Sequence, residues 1–132
     1  MERKFSPRWA APEVITSRKF SEFSDVWSFG VTVWEIFEYC KKIPYWMLDQ
    51  VLQVKQLLSE YKGVNQFDKI IKQLPQPQKC SAQIWNFIEK CWLAKPSGRP
   101  KFEVLIQQLE TCQSSTNNNN NNDNNNGKRE YD

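Results

Sequence analysis

The sequence predicts an all-α fold wrapped round one buried central helix. Three observations carry that prediction. The run Ser24–Phe37 is apolar round almost its whole circumference. Four stretches downstream repeat apolar residues at spacings of three and four, the helical period. No stretch alternates apolar and polar residues as a half-buried strand does.

Taken in order, residues 1–9 read as an irregular, extended segment. Pro7 has no amide hydrogen, and it disfavours helix at Ser6. Ala10–Thr16 predicts one short helix with Pro12 in its first turn. Residues 17–23 are mostly polar and predict a surface connection. The central helix is predicted from about Asp25 to Tyr39, with Ser24 as its cap and Asp25 at the positive end of its dipole. Val26, Trp27, Phe29, Val31, Val33, Trp34, Ile36 and Phe37 leave only Ser28, Thr32 and Glu35 as a thin polar seam. Such a helix lies inside a larger body, and it is too short and too interrupted to cross a membrane.

Ile43-Pro44-Tyr45-Trp46 starts a loop. Leu48, Val51, Leu52, Val54, Leu57 and Leu58 then fit an amphipathic helix ending before Gly63. Phe67, Ile70, Ile71 and Leu74 predict a shorter one, stopped by Pro75-Gln76-Pro77. Ser81 caps a helix carrying Ile84, Trp85, Phe87, Ile88, Cys91 and Trp92. Residues 94–100 form a loop stiffened by prolines and turned by Gly98. Phe102, Leu105, Ile106 and Leu109 mark the last helix, for five or six around the central one.

A chain of 132 residues has room for one domain. Residues 1–112 are the foldable part. Residues 113–132 are an Asn-rich tail expected to be disordered, since it offers little apolar surface to offset ordering. Six Trp, eight Phe and four Tyr are a heavy load for so short a segment, and point to a piece of something larger. The net charge of +3 is mild and scattered, so no nucleic-acid partner is expected. Four cysteines lie far apart without a C-x-x-C pair, and there is no histidine, so neither a zinc site nor a disulfide framework is expected. No apolar run follows Met1-Glu2-Arg3-Lys4, so a cytoplasmic chain is expected.

Three strings lie in a telling order. They are Trp9 with Ala11-Pro12-Glu13, then Ser24-Asp25-Val26-Trp27-Ser28-Phe29-Gly30-Val31, then Cys91-Trp92 with Pro96-Ser97-Gly98-Arg99-Pro100-Lys101-Phe102. Together they resemble the C-terminal lobe of a eukaryotic protein kinase: the end of the activation segment, the lobe's central helix, and the loop leading to its last helix. Gly30-Val31, Trp34-Glu35 and Cys91-Trp92 resemble the tyrosine-kinase and tyrosine-kinase-like group. The run Thr32–Cys40 and the residues between Gly63 and Leu74 are similar to Janus kinases.

The resemblance implies roles. Glu13 and Arg99 each sit in apolar or Pro-rich surroundings and, if buried, must pair; in the family the matching residues bridge the activation segment to the last helices. Trp27 belongs to the structural set. Asp25 is either a plain helix-start residue or the match of an aspartate that holds the family's catalytic loop. Ser6, Pro7, Arg8 and Trp9 lie where the family docks its protein substrate. Ser6 fits the Ser/Thr-directed pattern and Arg8 the Tyr-directed one, so the hydroxyl chosen stays open. The complete family domain uses ATP and magnesium, yet this sequence has no glycine-rich loop, no H-R-D and no D-F-G. No cofactor and no catalytic residue is therefore expected in this chain, which is expected to be inactive alone and to meet other proteins rather than nucleic acid or membrane. It reads first as part of a kinase of the tyrosine-kinase-like group, next as a non-catalytic interaction module, and last as a nonfunctional remnant. The segments that would cover one side of the central helix are missing, so the isolated chain is expected to aggregate or to behave as a molten globule.

Overall fold

The computed structural model describes residues 4–123. Six α-helices follow one another: α1 Pro12–Ser17, α2 Glu22–Phe37, α3 Val51–Glu60, α4 Phe67–Gln73, α5 Ala82–Ile88 and α6 Phe102–Asp123. Single 3-10 turns at Pro7–Trp9, Val64–Gln66, Glu89–Trp92 and Pro96–Gly98 join or precede them. There is no strand among the described residues. None of their helices is long and apolar enough to cross a membrane.

α2 is the central helix, but it starts earlier than Ser24. Ser21 is its cap, accepting from the amides of Phe23 at 3.2 Å and Ser24 at 3.4 Å. The Ser24 hydroxyl in turn accepts from the Ser21 amide at 2.8 Å. This reciprocal box satisfies donors that a helix start otherwise leaves open. Two serines three apart offer two candidate caps, and the one that closes the box wins. Ser24 is thus inside the helix and buried. The helix also stops before Tyr39, because Tyr39 and Cys40 both turn into the left-handed region at φ 55°.

One face of α2 makes the core. Trp27, Val31 and Trp34 are wholly enclosed, and Val26 is nearly so. Gly30 lets the Glu89–Trp92 turn lie directly on the helix: a Cβ there would meet Cys91 Cβ at 2.8 Å and Trp92 Nε1 at 2.9 Å. The ring of Trp92 meets Trp85 of α5 edge-on at 5.6 Å. Trp34 stacks on Trp46 at 6.0 Å and donates from Nε1 to the Pro75 carbonyl at 2.8 Å. The opposite stripe of α2 is open, with Asp25 and Thr32 exposed and Ile36 60% exposed. One side of the helix is thus left uncovered by the described segments, as the sequence leads one to expect.

Four further boundaries differ from the sequence reading. Residues 7–9 are a 3-10 turn, closed by the Trp9 amide on Ser6 O at 3.0 Å, and not extended chain. Leu48 lies in the turn before α3, its amide bound to Tyr45 O at 2.8 Å. α5 ends at Ile88, so Cys91 and Trp92 lie in the 3-10 turn that follows it and not on the helix capped by Ser81. α6 runs to Asp123, into the expected tail. The rest of the expected tail, 124–132, lies outside the described residues.

Gly30→Ala forces two buried side chains apart. It is expected to cost about 1–3 kcal/mol, the range for overpacked cores, read as a lower urea midpoint of Trp fluorescence. An unchanged midpoint would show that Cys91 and Trp92 can move aside.

Candidate functional site

Arg99 follows Gly98 in the Pro-rich stretch before α6, which leads its side chain back into the core. It is only 3% exposed. Nη1 donates to Glu13 Oε1 at 2.5 Å and to the Phe23 carbonyl at 3.0 Å. Nη2 donates to Glu13 Oε2 at 3.2 Å and to the Ala94 carbonyl at 3.5 Å. Nε donates to the Leu93 carbonyl at 2.8 Å. All five N–H groups of the guanidinium thus have an acceptor. Its face lies 5.0 Å from the centre of the Trp27 ring, which also packs on Tyr61 at 6.1 Å. Glu13, on α1, is the carboxylate that neutralises it. Burial pushes the Tyr61 phenol up to about 12, with the Arg99 charge pulling partly the other way; its hydroxyl donates to the Trp92 carbonyl at 2.8 Å.

The second node is Arg8, in the turn Pro7–Trp9. Sequence reading places it among substrate-facing residues, but it is 8% exposed. Nη1 donates to the carbonyls of Pro44 at 2.9 Å and Tyr45 at 3.0 Å. Nη2 donates to those of Leu48 at 2.8 Å and Asp49 at 3.5 Å. The charge is spent on the loop before α3 and is not offered to a ligand. Its acceptors are backbone atoms, which carry no signal in a sequence. The same holds for the Trp9 carbonyl, which accepts from the Ser28 hydroxyl at 2.8 Å and fixes the turn to α2.

Beside this turn lies a recess of about 230 Å³, lined in part by Phe5, Ser6, Trp9, Asp25 and Ser28. Ser6 is exposed, and Pro7 and Trp9 are half-buried. Asp25 is exposed, and no other described side chain hydrogen-bonds its carboxylate. The structure therefore brings Ser6, Trp9 and Asp25 to one concavity, and Glu13, Arg99 and Trp27 to a separate buried cluster. Among the described residues there is no group of three His, Cys, Asp or Glu that could hold a metal ion. Burial pushes the Cys91 thiol up to about 12, so it is no nucleophile at neutral pH. What the arrangement can do is present a shaped surface to another chain.

The family model described as protein tyrosine and serine/threonine kinase matches residues 1–109. The human tyrosine-protein kinase FRK is 40% identical over 109 residues, covering 83% of this chain and 19% of that protein. The Drosophila melanogaster tyrosine-protein kinase Btk is 38% identical over 106 residues, covering 80% and 12%. Human ephrin type-A receptor 5 is 34% identical over 107 residues, covering 81% and 9%. The chain thus spans a fifth or less of the relatives it matches.

Removing one partner of the Glu13–Arg99 pair strands a buried charge. Glu13→Ala is expected to lower stability by about 3–5 kcal/mol, measured by urea unfolding, with Arg99→Lys failing to restore the wild-type value because an ammonium cannot fill five acceptors. Arg8→Gln should cost about 1.5–3 kcal/mol, as for lost hydrogen bonds to a charged group. Hydrogen exchange should quicken at residues 45–49 and at Trp9 while the amides of α5 stay unchanged.

Proposed function

The chain belongs to the protein tyrosine and serine/threonine kinase family, and from that premise we propose that it is the rear helical half of a kinase catalytic domain, contributing protein docking while nucleotide chemistry resides in other residues. The complete domain of this kind transfers the γ-phosphate of ATP to a protein hydroxyl with magnesium. The observation that carries this reading is the Arg99 cluster. One guanidinium ties Glu13 of the A-P-E string, Phe23 at the start of α2 and the 93–94 segment into a single node. The three strings that carry the family resemblance are thereby one structural unit.

In this reading the docking surface is Ser6, Pro7 and Trp9, with Arg8 holding it from beneath. The open stripe of α2 at Asp25, Thr32 and Ile36 is the seat for further kinase segments, including the loop to which Asp25 would bind. The sequence has no histidine, and its four glycines are isolated, so nothing in these residues cradles phosphates in the kinase manner. The tyrosine-kinase relatives favour tyrosine as the acceptor, while Ser6 supports the serine/threonine alternative. A non-catalytic interaction module would instead use the helices around residues 45–75. The exposed Val51 and Leu52 of α3 supply apolar anchors for it.

The test is phosphate transfer by the purified chain, given magnesium-ATP with a Glu-Tyr copolymer or a Ser/Thr-rich basic protein. No transfer and no ATP binding by calorimetry are expected. ATP-dependent labelling of either substrate by the chain alone would overturn the assignment of catalysis to other residues.

A further inference from the structure

We propose that Tyr39 is a phosphoacceptor, presented to a separate tyrosine kinase molecule and flanked by Lys41 and Lys42 as partners for the phosphate. This goes beyond the reading above and does not depend on it, since the acting enzyme is another molecule.

Exposure separates the described tyrosines. Tyr45 is wholly buried and Tyr61 is 5% exposed with its hydroxyl engaged, whereas Tyr39 is 65% exposed. A phenol must stand in line with the γ-phosphorus inside another enzyme's cleft. Tyr45 and Tyr61 can do so only after the core opens. Tyr39 projects from the turn that follows α2.

The backbone there is poised to yield. Tyr39 and Cys40 are consecutive non-glycine residues at φ 55°. Each left-handed residue of this kind is strained, because its Cβ crowds the following carbonyl. The turn is held by three backbone bonds: Tyr39 to Ile36 O at 2.9 Å, Cys40 to Glu35 O at 2.9 Å and Lys41 to Glu38 O at 3.1 Å. The residues from Tyr39 to Ile43 are all exposed, and none of them belongs to the buried core. Drawing this segment out as an extended peptide breaks few bonds and releases the strain, the mark of a locally unfolding unit.

Charge places the product. Glu35 and Glu38 precede Tyr39 and repel a phosphate, while Lys41 and Lys42 follow and attract it. Lys42 now lies with Nζ 4.5 Å from the centre of the Trp46 ring, and that ring stacks on buried Trp34. A phosphate outcompetes an aromatic face for an ammonium group. Modification would therefore draw Lys42 off Trp46, within the loop that Arg8 clamps. In the step itself the Tyr39 oxygen attacks the γ-phosphorus of ATP held by the acting kinase. The new O–P bond forms as the bond to the β,γ-bridging oxygen breaks, ADP leaves, and the phenolic proton passes to that kinase's base.

The experiment incubates the full chain in native buffer with magnesium-ATP and the catalytic domain of human FRK, and maps phosphopeptides. Labelling at Tyr39 is expected to run at least about tenfold faster than at Tyr45 and Tyr61, which must wait for the core to open. Tyr39→Phe should remove it. Equal labelling at all three, or none at Tyr39 when the urea-unfolded chain is labelled there, overturns the proposal. On the modified chain, Lys42→Gln is expected to raise the second pKa of the phosphate in a phosphorus NMR titration. If neither Lys41→Gln nor Lys42→Gln moves it, the assignment of the lysines is overturned.

Discussion

A guanidinium buried without a counterion is among the costliest things a small fold can contain. Arg99 is such a group, and the architecture is what neutralises it. Glu13 supplies the opposite charge, the carbonyls of Phe23, Leu93 and Ala94 supply the remaining acceptors, and Trp27 covers one face. These partners come from α1, from the first turn of α2 and from the 93–94 segment. Satisfying one charge therefore fixes three distant parts of the chain in register. The pair adds little by attraction alone, but it makes other arrangements expensive, because any of them would strand the charge.

The second guanidinium works the same way at smaller cost. Arg8 has no carboxylate partner among the described residues and is held by carbonyl dipoles of residues 44–49. It ties the Pro7–Trp9 turn to the loop before α3, while Ser28 ties the same turn to α2. The turn is thus gripped from two sides, and only Ser6, Pro7 and Trp9 keep surface for a partner. Such support suits the docking role proposed for this turn, since a loose segment would lose entropy each time it bound.

The open stripe of α2 and the crowded node at Arg99 describe one condition. The half of the helix facing α5 and the Glu89–Trp92 turn is packed so closely that Gly30 has no room for a methyl group. The other half carries Ile36 and Thr32 into solvent. Such a helix is made for a larger body, in line with a chain that spans a fifth or less of its kinase relatives.

The helical periods, the proline stops at Pro75 and Pro77, the cap at Ser81 and the lone charged residues Glu13 and Arg99 were legible in the sequence alone. Each is local, either a spacing or a residue whose chemistry demands a partner. Kinase membership was legible for the same reason, since strings such as S-D-V-W-S-F-G survive as words. The uncovered side of α2 was legible too, but only the tertiary structure moved the cap from Ser24 to Ser21 and showed which residues of α2 lie open and that Arg8 is buried. The cap was settled by which hydroxyl could both give and take a bond, Arg8 by backbone carbonyls that have no letter in a sequence, and the residues left open on α2 by where the other helices pack. A periodicity records that a surface is apolar, but coverage depends on neighbours brought from elsewhere in the chain.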